Sequence, residues 1–306
     1  MPVDKELRSV VNGIYDIQLL RIGIGNRIVA SFRAKLGIKP SEDKKKRGKE
    51  ADKLLKAIRK EYKRITDGIV KITMTIKISK ENKLISTLAE VVLIKQYEQV
   101  LDCENVLFED MGTIVRTRPL WGLFFEGVKG CGTVIAGFLM AYVNIWEAET
   151  VSKLWYYCGK GVEPDGQATS RRKEHLYDVE YIDKKGELKT KKSIKHNPEL
   201  SSKLSYVLGR GLLTAKGHYK ISSYDPYKHR IKSDPKHAKK TPKHIDNMAK
   251  RKMIKDFLQD LWPIWRTMEG LPVTDPFSVA KLGIKHGDHA SLKRQETQKM
   301  RSEPPS

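Results

Sequence analysis

The residues best placed by type and spacing to do chemistry lie in Glu126-Gly-Val-Lys-Gly-Cys-Gly-Thr-Val-Ile-Ala136. An apolar run (Leu120, Trp121, Leu123, Phe124, Phe125) enters this stretch, and another at helical spacing (Val134, Ile135, Phe138, Leu139, Tyr142) leaves it. Apolar-x-Gly-apolar-Gly between two such runs is the signature of a helix-hairpin-helix. Gly130 and Gly132 suit a turn whose backbone takes positive φ or lies against another surface. The second helix would begin with unpaired N–H groups at a positive dipole end, where a phosphate can sit. Gly130, Gly132 and Thr133 are thus a candidate cradle for nucleic-acid backbone, a contact that reads no bases. The alternative for the same residues is an ordinary tight turn between two core helices.

Charge supports the first reading. The chain has 59 Lys and Arg against 37 Asp and Glu, a formal net charge of +22. An excess of that size points to a polyanion, nucleic acid before membrane. From Lys184 to Phe257 there are 21 Lys and Arg against 6 Asp and Glu, so a quarter of the chain carries +15 of the +22. Arg171, Arg172, Lys191, Lys192, Lys250, Arg251 and Lys255 are the candidate phosphate contacts, with Lys250, Arg251 and Lys255 expected on the outer face of a late helix. Tyr219, Tyr224 and Tyr227, interleaved with Lys220 and Lys228, are candidates for stacking on exposed bases.

Other chemistries fit less well. Seven of the eight histidines lie between His196 and His289, but the spacings of His229, His237 and His244, and of His286 and His289, match no tetrahedral zinc pattern. No metal is expected, and the histidines read as further phosphate contacts. The three cysteines (Cys103, Cys131, Cys158) form no CxxC pair and read as reduced core thiols of a cytosolic protein. No apolar run is long enough to span a bilayer, and the first residues lack a signal-peptide core, so a cytoplasmic, nucleoid-associated protein is expected.

The elements that must position these residues are mainly helical. Residues 5–36 read as one helix, with Val10, Ile14, Ile17, Ile24 and Ile28 on a stripe that Arg21 completes, ended by Gly37 and Pro40. Ser41 to Lys49 reads as a charged connector. Leu55, Ile58, Tyr62, Ile65, Ile69, Ile72 and Ile76 then step three and four residues apart, a heptad seam that predicts a coiled coil. Its partner is the first helix, the helix after Asn82, or a second subunit, which makes a homo-oligomer through Leu55–Ile76 the expected assembly. Ile69–Ile78 also alternates as a strand would, but the unbroken seam favours helix.

Asn82 to Val115 continues helical, and a further helix is expected from Asn144 to Gly159. Tyr177–Ile182 and Glu187–Thr190 read as an exposed hairpin across Asp183-Lys-Lys-Gly186. Pro198 starts another helix, a polar loop follows, and Pro242 starts a last helix that Pro263 should kink. The domain reading is a long-helix region over 1–115, a helix-hairpin-helix domain with a basic insertion over 116–269, and an irregular tail over 270–306.

Gly127-Val-Lys-Gly-Cys-Gly-Thr-Val-Ile-Ala-Gly-Phe-Leu-Met-Ala, with Asn144-Ile-Trp and Leu154-Trp-Tyr-Tyr-Cys-Gly159, resembles the C-terminal domain of Piv-type (DEDD) insertion-sequence transposases. The resemblance spans roughly residues 115–215. It implies a role in DNA transposition or recombination, with DNA as partner and structured RNA as a further one. It also implies a nucleophilic serine after the hairpin, for which Ser170 in Ala168-Thr-Ser-Arg-Arg-Lys173 stands at a comparable place without the family's glycines. A serine beside Arg171 and Arg172 could attack a phosphodiester whose charge those arginines neutralise. The alternative is a basic loop with an incidental serine. The family's N-terminal nuclease domain carries three Asp and a Glu that bind Mg²⁺, but here Asp16 lies on a helical stripe and no strand-borne carboxylates precede the seam. No cofactor is expected, with Mg²⁺ entering only if an unrecognised nuclease site exists. The expected function is a transposase-related DNA-binding protein; a serine-dependent recombinase and a non-enzymatic assembly protein are the alternatives.

Overall fold

The computed structural model describes residues 4–66, 84–170 and 172–274. These residues are mainly helical, with one two-stranded antiparallel hairpin. They form two compact units: residues 9–110, and residues 4–8 together with those from 111 onward.

In the smaller unit, helix α1 (Lys5–Leu36) follows its predicted span. Gly37, at φ 65°, ends it, and the Ile38 N–H returns to the Arg33 carbonyl at 3.0 Å. Helix α2 (Lys44–Thr66) starts earlier than expected, within the supposed connector. The cause is a local cap: Asp43 Oδ1 accepts from the N–H groups of Lys45 at 2.7 Å and Lys46 at 3.0 Å.

Helix α3 (Leu88–Arg116) closes the core of this unit. Ile58 and Tyr62 of α2 are buried with Ile24, Ile28 and Phe32 of α1 and with Ile85, Val91, Ile94 and Tyr97, while Leu55 and Ile65 pack at the margin. The described part of the heptad seam is therefore covered by helices of its own chain. Ile69, Ile72 and Ile76, and the strand alternative for 69–78, lie outside the described residues. Arg21 interrupts the apolar stripe because it pairs with the buried Glu104, which also accepts from Gln18 at 2.9 Å. Gly25 lets the Tyr97 ring approach, since a Cβ there would lie 3.1 Å from it. Cys103, expected in a core, is exposed on the outer side of α3.

The larger unit is organised around its last helix, here α9 (Pro242–Met268). Before it come α4 (Thr133–Tyr142), α5 (Val151–Tyr157), strands β1 (Leu176–Ile182) and β2 (Leu188–Ile194), α6 (Pro198–Lys203), α7 (Gly209–Ala215) and α8 (Asp225–Ser233). Pro242 opens α9 beside Thr241, whose side chain accepts from the His244 N–H at 3.2 Å. The helix continues through Pro263. Its buried Phe257, Leu258, Leu261, Trp262 and Trp265 meet Phe124, edge-on to Phe257 at 5.3 Å, and the Ala148 carbonyl, which takes the Trp262 indole N–H at 2.7 Å. Residues expected to start a helix at Asn144 instead form a turn, with Asn144 Oδ1 accepting from the Trp146 N–H at 3.1 Å. Helix α5 begins only at Val151, capped by Thr150.

Leu200, Leu204, Leu208 and Leu212 are buried along α6, a π-helical turn (Leu204–Leu208) and α7. The segment expected as a polar loop is helical instead: a π-helical turn (Lys220–Tyr224) leads into α8, and Tyr219, Tyr224 and Ile231 are buried. The hairpin is in register from Leu176↔Ile194 to Ile182↔Leu188 and is largely exposed.

Candidate nucleic-acid interface

The two glycines of the bend do different things. Gly130 has φ 90°, and a Cβ on it would lie 2.6 Å from the Gly211 carbonyl carbon. The first requirement is met by Gly130 packing against α7, so this glycine answers to the fold and not to a ligand. Gly132 has φ −92° and ψ 175°, an extended conformation open to any residue. It is exposed, and a Cβ there would meet nothing within 4 Å. It is also the N-cap of α4 and supplies no side chain to the first N–H groups of that helix. The open start of α4 is therefore at Gly132 and Thr133, while Gly130, although exposed, is held against the Gly211 backbone.

Exposed cationic residues lie on the segments that meet the glycine bend and the first turn of α4. Arg210 and Lys216 flank α7's contact with the bend and are exposed. Lys216 closes α7 in the left-handed conformation, φ 50°. Lys129 is exposed beside Gly217, where a Cβ would come within 3.2 Å of the lysine Cβ. On the other side, a Cβ on Gly112 would lie 3.1 Å from Thr133 Oγ1 and 3.6 Å from the Arg116 guanidinium, so hydroxyl and guanidinium share the space beside the first turn. Sequence reasoning missed Arg116, Lys129, Arg210 and Lys216. Gly209-Arg-Gly211 was the available signal, since paired glycines inside a helical run mark a close backbone approach.

The predicted basic residues separate into three groups. Arg251 and Lys255, expected to face outward, turn inward. The Arg251 guanidinium donates to the carbonyls of Gly159, at 3.1 Å, and Gly161. Lys255 Nζ lies over the Trp155 ring, 3.9 Å from its centroid, and burial, aided by Arg251 and Lys252, pushes its ammonium down to about 8. Long cationic side chains carry apolar stems, so a packing surface can hold them inside. Lys250 and Lys192 remain at the surface in ion pairs with Asp246, at 2.6 Å, and Asp178, at 2.7 Å. Lys191 lies over the Tyr181 ring at 4.7 Å. Arg172 is exposed, and Arg171 lies outside the described residues. The structure does not bring this set together with Gly132.

Nor do the tyrosines form a stacking platform. Tyr219 is buried and donates to Asp260 at 2.8 Å, and Tyr224 is buried and bonded to Asp246. Burial and the carboxylate beside Tyr219 hold its phenol well above the usual range. Tyr227 packs under the Arg230 guanidinium, 4.9 Å from the ring centre.

Ser170 has partners that its neighbours in sequence did not reveal. Its Oγ lies 2.9 Å from His175 Nδ1, and its backbone N–H donates to the same nitrogen at 3.2 Å. Because an N–H can only donate, Nδ1 presents its lone pair, and the ring proton resides on Nε2. Nε2 is 3.1 Å from Asp165 Oδ2. His175 is buried while Asp165 is exposed. A hydrogen bond from the Gln167 backbone, followed by the one from His175, holds the Asp165 carboxyl below its ordinary value. His175 was the one histidine that precedes the basic segment.

Among the described residues, no group of three or more His, Cys, Asp or Glu could hold a metal ion, and no helix is long and apolar enough to cross a membrane. Comparison with protein-family models, with curated proteins and with solved structures finds no match for this chain.

Proposed function

We propose that this chain binds nucleic acid, duplex DNA first, by seating a backbone phosphate on the first turn of α4. Gly132 leaves room for the anion, the Thr133 hydroxyl and the α4 N–H groups receive it, and Arg116, Lys129, Arg210 and Lys216 neutralise it. The observation that carries this reading is the exposed Gly132, which offers no side-chain cap, with four exposed cationic residues on the segments that meet the bend and the first turn of α4. The resemblance to Piv-type transposase C-terminal domains supplies the context, a transposase-related role in DNA transposition or recombination at the nucleoid. Contacts of this kind grip without reading sequence.

Fluorescence anisotropy with a labelled duplex tests it. Neutralisation of about four phosphates predicts roughly a hundredfold loss of affinity between about 50 and about 200 mM salt. An affinity that hardly moves across that range would remove the proposal.

A further inference from the structure

We infer that the β1–β2 hairpin is a separate binding site that stacks the unpaired bases of a single nucleic-acid strand on Tyr177 and Tyr181. The register sorts the hairpin's side chains by face. Tyr177, Val179 and Tyr181 stand opposite Ser193, Lys191 and Lys189, and alternation along each strand puts all six on one side. Asp178 and Glu180 take the other side, where Asp178 pairs with Lys192 at 2.7 Å. Tyr177 is 42% and Tyr181 37% exposed, so both rings keep open surface. Lys191 Nζ lies over the Tyr181 ring and, among the described residues, has no carboxylate partner. Towards the turn, Lys189 is taken up by Asp183 and Glu187.

The face runs into a cleft at the base of the hairpin. Tyr177 lines this open space of about 470 Å³ together with Tyr157, His196 and Pro198, and with Lys195 and Glu199. The Tyr157 hydroxyl donates to the Tyr142 carbonyl at 2.7 Å, which fixes that ring in the wall. Lys195 Nζ lies 3.7 Å from the buried Glu163 carboxylate, and Glu199 repels a phosphate from this end. The cleft therefore suits an aromatic base, while the phosphates fall to Lys191 and to the exposed Lys184 and Lys185 of the turn. Exposed aromatic rings beside lysines are what a single strand needs, because every base has a π-face to stack. Tyr177 and Tyr181 stand about 13 Å apart along the strand, so they receive two different bases of one chain. A duplex keeps its base faces stacked inside, so the hairpin takes single strands and does not depend on the α4 seat.

Fluorescence anisotropy of the full chain with a labelled oligothymidylate of about twelve nucleotides tests the site. Tyr177→Ala and Tyr181→Ala should each weaken binding about tenfold. Tyr181→Phe, which keeps the ring, should bind as the wild type does. Tyr181→Leu, which keeps bulk without a π-face, should lose as much as the alanine variant. That contrast separates stacking from a role in holding the hairpin, and it replaces any alanine variant that thermal melts show to be misfolded. Lys191→Ala should lower the slope of log affinity against log salt by about 0.7, whereas the tyrosine variants keep the wild-type slope. Lys192→Ala, on the opposite face, should leave affinity and slope nearly unchanged. Duplex affinity should be the same in the wild type and both tyrosine-to-alanine variants, so this site and the α4 seat stand or fall separately. A wild-type chain that does not bind oligothymidylate, wild-type affinity in Tyr177→Ala and Tyr181→Ala, or equal losses in Tyr181→Phe and Tyr181→Leu overturns the inference.

Discussion

Gly130 and Gly211 meet backbone to backbone across 81 residues of sequence, close enough that a Cβ on Gly130 would lie 2.6 Å from the Gly211 carbonyl carbon and 2.9 Å from the Leu212 nitrogen. The contact joins the glycine bend to α7 and draws Arg210 and Lys216 toward the start of α4. It also divides two glycines that look equivalent in sequence. Gly130→Ala meets both a positive φ and a backbone clash and should cost on the order of 3 kcal/mol, read as a lower urea midpoint. Gly132→Val should leave that midpoint nearly unchanged, because its backbone is extended and its surroundings are open. The same valine should weaken duplex binding about tenfold or more by occupying the phosphate seat. A Gly132→Val protein that binds DNA as well as wild type would place the seat elsewhere.

Arg251 should behave as a core residue. Its guanidinium satisfies the carbonyls of Gly159 and Gly161, both buried. Arg251→Met removes the donor and leaves the enclosed Gly159 carbonyl unpaired, while the Gly161 carbonyl keeps only the Thr169 N–H at 3.2 Å, with an expected loss on the order of 2 kcal/mol in urea unfolding. Lys250→Ala, four residues from its partner Asp246 on the helix surface, should change stability by only a few tenths of a kcal/mol. Equal and small effects of the two substitutions would count against the inward placement of Arg251.

Lys160 makes stability depend on alkaline pH. The side chain is 3% exposed, and its ammonium donates to the Ser201 carbonyl at 3.2 Å and to Ser205 Oγ at 2.7 Å. Burial, helped by the Arg251 charge, pushes it from 10.5 down to about 8. Below pH 8 folded and unfolded chains both hold the proton, and the cost of enclosing the charge is fully present. Between 8 and 10.5 the folded chain has released it and the unfolded chain has not, so unfolding takes up a proton and stability rises with pH. The total rise from this group is about 3 kcal/mol. Lys160→Met removes the titrating group, while Ser205 keeps its bond to the Ser201 carbonyl at 2.8 Å. The stability difference between wild type and variant, followed by urea unfolding from about pH 7 to about pH 10.5, should therefore shift in favour of wild type. A difference that stays flat with pH would show that Lys160 is not enclosed as a charge.

Much of the helical framework was legible because it depends on near neighbours. The stripe from Val10 to Ile28, followed by Gly37, marks α1 to its ends. The seam residues Ile58 and Tyr62 are buried as their spacing predicts. Asn197 before Pro198 opens the α6 segment, with Asn197 Oδ1 accepting from the Leu200 N–H at 3.0 Å. The turn Asp183-Lys-Lys-Gly186 joins the two strands, with Gly186 at φ 82°. Helix periods, caps and tight turns involve groups a few residues apart, and those groups can be read in order along the chain.

The candidate site was less legible, because its decisive relationships join distant residues or concern which way a long side chain turns. Sequence by itself determined a strongly basic, mainly helical chain with a glycine bend leading into an apolar helix. Only the tertiary structure decided that Gly130 faces Gly211 while Gly132 stays open, that Arg251 and Lys255 point inward, and that Ser170 meets His175 and Asp165. Lysine and arginine have apolar stems and charged tips, so composition says how much charge a segment carries but not which surface its stems will cover. That choice is made by which helix faces meet, and close packing of those faces is a property of the assembled chain.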